Sequence, residues 1–123
     1  MKDRELLEFA AKAAGIEIHE SDDGTLQKRP IWAVTHFVCG QPYGESQWNP
    51  LTDDGDALRL AVKLSIDVYF GEDDGPATYA GWYGSEANTQ RQRYAVERHN
   101  ADPYAATRRA IVRAAAEIGK GMQ

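Results

Sequence analysis

The chain has 123 residues, a formal net charge of −5 and one cysteine, Cys39. A chain this long buries about two-thirds of the surface its unfolded form exposes, so one domain over 1–123 is expected to fold without disulfide or metal. No apolar run nears the roughly 20 residues of a membrane span, and MKDRELLEFAAKAAG lacks a signal-peptide core, so a soluble protein in a reducing cytosol is expected, with no membrane role.

A first helix is expected over residues 2–14, with Leu6, Phe9, Ala10 and Ala13 on one face and Gly15 in the left-handed position past its end. Residues 16–19 read as a short strand. Residues 31–38 are apolar on both alternating sides, the pattern of a central strand. The stretch CGQPYGESQWNP (39–50) reads as a long turn-rich loop. A second helix follows over 54–64, its stripe drawn through Leu58, Ala61, Val62 and Ser65. Strands at 66–70 and 78–83 flank the turn Glu72-Asp73-Asp74-Gly75-Pro76 and suggest a hairpin, and 92–96 adds another strand. Asp102-Pro103 opens a third helix with a stripe of Tyr104, Thr107, Ile111, Ala114, Ala115 and Ile118, ending at Gly119. This order predicts an α+β fold, a three-layer α/β/α sandwich of about three helices around a small mixed or antiparallel sheet.

Three aspartates, Asp53, Asp54 and Asp56, crowd the start of the second helix. As N-cap, Asp53 offers its carboxylate to free backbone N–H groups, and Asp56 stands at the capping-box position. Asp54 and Asp56 also lie where the helix dipole favours negative charge. A calcium loop counted from Asp53 would need glycine sixth and glutamate twelfth, where Leu58 and Leu64 stand. The aspartates therefore start a helix, and no metal ligand is assigned.

Other chemistry is thin. Gly44-Glu45-Ser46-Gln47-Trp48 has tryptophan where a nucleophile elbow needs its second glycine. His36 and Cys39 have no further metal ligands at usable spacing, and no phosphate-cradling glycine motif occurs. No catalytic residue and no cofactor is assigned. Charge is uneven: residues 1–86 hold 7 Lys and Arg against 16 Asp and Glu, and residues 87–123 hold 7 against 3. Arg91, Arg93, Arg98 and Arg109 are thus candidates for a nucleic-acid surface, set against the plainer reading that the two halves neutralise one another across the fold. Tyr43, Trp48 and Tyr83 are candidates for anchoring a protein partner.

The segments WNPLTDDGDALRLAVKLSID (48–67) and DPYAATRRAIVRAAAEIGK (102–120), with ELLEFAAKAAGI (5–16), resemble the small phage and prophage proteins grouped as the phage ABA-sandwich domain. The most specific matches are Trp48-Asn49-Pro50 with the run 54–60, and the run 106–111; the group often has glycine where this chain has Ser65. The resemblance implies α/β/α architecture and a phage or prophage gene acting in the bacterial cytoplasm, and it carries over no catalytic residue. The leading expectation is a non-enzymatic accessory protein that binds a protein partner. A nucleic-acid-binding protein using the C-terminal arginines and a metal-dependent hydrolase using the acidic loops are the alternatives.

Overall fold

The computed structural model describes residues 1–22, 30–72, 74–83 and 92–122, with backbone only at 20–22, 30–38 and 43–45. Its elements run α1 (Asp3–Ala14), β1 (His19–Asp22), β2 (Pro30–Val38), β3 (Gln41–Gln47), α2 (Asp54–Lys63), β4 (Asp67–Gly71), β5 (Ala77–Tyr83), β6 (Gln92–Arg98) and α3 (Pro103–Lys120). The fold is α+β. Two antiparallel three-stranded sheets, β1-β2-β3 and β4-β5-β6, take the place of the expected single one.

The helix boundaries follow from cap chemistry. Gly15 is left-handed (φ 70°), and Ile16 N–H donates to Ala11 O, closing α1. Asp102 accepts the N–H groups of Tyr104 and Ala105 at 3.0 and 3.1 Å, with Pro103 at the first helical position. At the end of α2, Ser65 takes the same left-handed conformation as Gly15 (φ 54°), and Ile66 N–H donates to Ala61 O.

Helix faces differ from those expected. α2 buries Ala57, Leu60 and Ala61, whereas Leu58 and Val62 are exposed. Two stripes with helical spacing coexist in this segment, and the one rich in alanine lets α2 approach α3 closely. Tyr104 is likewise exposed rather than part of the α3 stripe. α3 is the central helix: Ala110, Val112, Ala114, Ala115 and Ala116 are wholly buried. It packs against α1, α2, β5 and β6. Gly119 does not end it. α3 continues to Lys120, and a Cβ at Gly119 would meet the Phe9 carbonyl carbon at 2.8 Å, so this glycine is where α1 and α3 touch backbone to backbone.

Residues 39–50 are not one long loop. Cys39 (φ 50°) and Gly40 (φ 80°) form a two-residue turn, since Val38 pairs with Gln41. Both central residues are left-handed, as a type I′ hairpin requires. β3 then runs antiparallel to β2 with Tyr43 as the extra residue of a bulge, because His36 pairs with Gly44 and Phe37 with Pro42. β2 is the middle strand of its sheet, as its pattern suggested.

α3 covers one face of the second sheet, where Ala80, Trp82 and Ala95 join the core with Val68 packed against it. The opposite face carries exposed tyrosines. Among the described residues no helix is long and apolar enough to cross a membrane.

Candidate functional site

The register of the second sheet assembles a surface that no single segment announces. Tyr69 pairs with Tyr79, Tyr79 with Val96, and Gly81 with Tyr94. Alternate residues share a face, so these side chains gather with Tyr83 on the side away from α3. The rings of Tyr69 and Tyr79 stack with centroids 5.3 Å apart and planes 2° from parallel. Tyr94 meets Tyr69 edge-on at 5.9 Å. Two glycines make the fit possible. A Cβ at Gly71 would lie 2.7 Å from Tyr79 Cε2, and one at Gly81 would lie 3.2 Å from Tyr94 Cδ1. Tyr83 and Tyr94 remain 60% and 48% exposed. Desolvation first, then a hydrogen bond with Tyr94 and the charges of Tyr94, Tyr79 and Asp67, push the Tyr69 hydroxyl up to about 12. Polar pairs stand at the ends of this face: Gln92 donates to Asp67 at 2.7 Å, and Arg98 pairs with Asp74 at 2.6 Å.

The expected partner anchors fare differently. Tyr83 lies on this face. Trp48 is 6% exposed and belongs to the core, so it offers a partner little surface. The reason is local. The Asn49 N–H donates to Asp56 at 3.0 Å, drawing the Trp48-Asn49-Pro50 segment onto the first turn of α2. The side chain of Tyr43 lies outside the described residues, and so does the whole of Arg91.

Four arginines of the C-terminal third, Arg98, Arg108, Arg109 and Arg113, meet acids. Arg109 reaches Asp3 at 2.9 Å and Glu97 at 3.1 Å, and Arg113 shares Glu97 at 3.3 Å. Arg108 donates to Asp54 at 2.6 Å and to the Leu51 carbonyl at 2.9 Å. Arg93, which also has a bonding partner, lines a cleft of about 580 Å³ with Arg109, Arg113, Glu97 and Glu117 over a floor of Leu6 and Trp82. Among the described residues, Arg98, Arg108 and Arg109 of the C-terminal third are thus paired with carboxylates of residues 74, 54 and 3, and Arg109 and Arg113 share Glu97 of β6.

The aspartates of α2 act on the backbone. Asp53 accepts Asp56 N–H at 2.8 Å, and Asp56 in turn accepts Asn49 N–H and Arg59. Among the described residues no three His, Cys, Asp or Glu gather where they could hold a metal ion.

One polar relay went unseen in the sequence. Thr78, wholly buried, lies 2.7 Å from His99 Nε2 and 2.8 Å from the Thr107 hydroxyl. Thr107 donates to Pro103 O at 2.8 Å, so its proton is committed. Thr78 must then donate to Thr107, and His99 Nε2–H must donate to Thr78. The relay pins β5 to the start of α3 and leaves Thr78 no access to a substrate. No family model matches this chain, and neither a curated protein nor a solved structure does.

Proposed function

We propose that this chain is a non-enzymatic protein-binding module that presents the tyrosine face of β4-β5-β6 to a protein partner. One observation carries the reading: four tyrosines and Val96 share a sheet face opposite the core, with the rings of Tyr69, Tyr79 and Tyr94 ordered by mutual packing. Tyrosine supplies large contact area with few torsions to freeze, which is why it dominates binding hot spots. The partner fitting this face offers an apolar strip with polar groups at both ends, matching Asp67–Gln92 and Asp74–Arg98. The finer arrangement expected from the sequence, a three-layer α/β/α sandwich formed by this chain's own helices and strands, belongs to the same proposal, with α3 on one face of β4-β5-β6 as its support. An origin in a phage or prophage and a place in the bacterial cytoplasm are part of the proposal too, supported by the resemblance of 48–67 and 102–120 alone.

Nucleic-acid binding is the weaker reading, because Arg98, Arg109 and Arg113 already hold carboxylates. A metal-dependent hydrolase is weaker still, because the α2 aspartates are engaged by backbone N–H groups and arginines. The test is capture from bacterial lysate by the immobilised chain, run beside Tyr69→Ser/Tyr94→Ser and Tyr83→Ser variants of verified fold. A protein captured by the parent and lost from the variants supports the proposal. Capture that ignores all three substitutions, or no specific capture, refutes it.

A further inference from the structure

A second recess lies away from the tyrosine face, between the end of α1, the end of β3 and α2, with a volume of about 430 Å³. That is within the usual range for small-molecule pockets, roughly 300–1,000 Å³. Its floor is apolar: Trp48, Leu60 and Ala14 are buried there, and Ile16 packs against the core beside them. Its rim is cationic. Arg59 and Lys63 stand one helical turn apart on α2, both lining the recess, and Asp56 is the acid among the lining residues. Asp56 does not repel an incoming anion strongly, because both its oxygens are engaged. Oδ1 accepts Arg59 at 2.7 Å, and Oδ2 accepts Asn49 N–H at 3.0 Å. Arg59 is folded back along the helix toward Asp53 and Asp56, so the recess keeps Lys63 as a cation with no ion pair among the described residues. Counting Arg59, Lys63 and Asp56, the lining carries a net +1.

An apolar lining and a cation with no ion pair among the described residues specify a ligand with two parts. We propose that this recess binds a small amphipathic anion, a flat apolar ring system bearing a carboxylate or sulfonate, with the ring against Ile16 and the accessible edge of Trp48 and the anion on Lys63. This site is independent of the protein-binding face: no tyrosine of that face lines it.

The probe is 1-anilinonaphthalene-8-sulfonate, compared with N-phenyl-1-naphthylamine, which has the same ring body and no charge. The folded parent is expected to bind one sulfonate probe per chain, with energy transfer from tryptophan. The neutral probe should bind about fivefold more weakly, the scale of one screened charge contact. Lys63→Gln should weaken the sulfonate probe by a similar factor and leave the neutral probe unchanged; Lys63 is exposed, so the fold is retained. Trp48→Phe should remove most of the energy transfer, and Tyr69→Ser/Tyr94→Ser should change nothing. Equal binding of both probes, indifference to Lys63→Gln, or loss of binding in the tyrosine variants would each overturn the assignment.

Discussion

Gly119→Ala is a severe test of the packing described here. A methyl group at this position meets the Phe9 carbonyl carbon at 2.8 Å and Ala13 N at 3.3 Å, with the carbonyl oxygen nearer still. Carbon atoms prefer about 3.5–4.0 Å, and the opposing atoms are backbone, which no rotamer change can move aside. Relief therefore requires α1 to shift on α3 by roughly 1 Å, a gap that forfeits a quarter to a half of the dispersion energy across the contact. Overpacking of this kind costs about 1–3 kcal/mol, and immobile backbone argues for the upper end. Alanine returns about 1 kcal/mol of helix propensity, leaving a net loss of about 2 kcal/mol. An unfolding entropy of about 2.1 cal/mol/K per residue converts that to a drop of roughly 8 °C in Tm for 123 residues. Gly121→Ala is the control: its Cβ would find only the carbonyls of Ile118 and Glu117 at 3.6 and 3.7 Å, an ordinary contact. Thermal unfolding followed by circular dichroism gives both values. If Gly119→Ala melts within 1 °C of the parent, the close backbone crossing is wrong.

Three further outcomes follow from the same structure. Thr78→Val keeps the shape of a wholly buried side chain but strands the His99 N–H and leaves the Thr107 hydroxyl with its bond to Pro103 O alone, so denaturant unfolding should show a loss of about 1–3 kcal/mol at unchanged m; a loss under 0.5 kcal/mol would dissolve the relay. Ser65→Gly should stabilise by about 0.5–1 kcal/mol, since Ser65 is exposed and left-handed and a non-glycine residue bears strain there, partly offset by the freer unfolded chain. Tyr69, raised from 10.0 to about 12, stays protonated in the fold after the unfolded chain has ionised, so its contribution is whole below pH 10 and falls between pH 10 and 12; absorbance at 295 nm should show a phenol ionising near pH 12 in the parent that Tyr69→Phe removes, and an unchanged titration in that variant would refute it.

What could be read from the sequence was what local chemistry decides. Asp53, Asp102-Pro103 and Gly15 mark helix ends through bonds made within a few residues, and all three stand where expected. Helix faces were less legible, because the chain offers α2 two apolar stripes and only α3 chooses between them. β3 was missed because QPYGESQ has no alternation, and its partner strand with the Cys39-Gly40 turn defines it instead. Trp48 was read as an anchor because an aromatic in a polar loop looks exposed until Asn49 is seen bonding to Asp56. The tyrosine face had one signal, Tyr-x-Gly at 69–71 and again at 79–81, and it becomes meaningful only when register sets those strands side by side.

The charge split offers the last prediction. A backbone phosphate binds a protein when a cation can be given to it without losing another partner, releasing counterions from the nucleic acid. Here three arginines of the last helix are already engaged. Arg108 is 17% exposed and holds Asp54 and the Leu51 carbonyl; Arg109 holds Asp3 and Glu97; Arg113 holds Glu97 and the Val96 carbonyl. A phosphate must displace a carboxylate at each, and the net charge of −5 opposes its approach. Non-specific binders reach about 10⁻⁴–10⁻⁶ M at physiological salt, so anisotropy of a labelled single-stranded 20-mer should show no saturation by roughly 10 μM protein at low salt. Glu97→Gln leaves Arg113 without its carboxylate and Arg109 with Asp3 alone, and should raise affinity relative to the parent. Saturable parent binding below 1 μM with a steep salt slope would mean that the pairs across α3 do not hold the arginines, and the cleft they line would then be the functional surface.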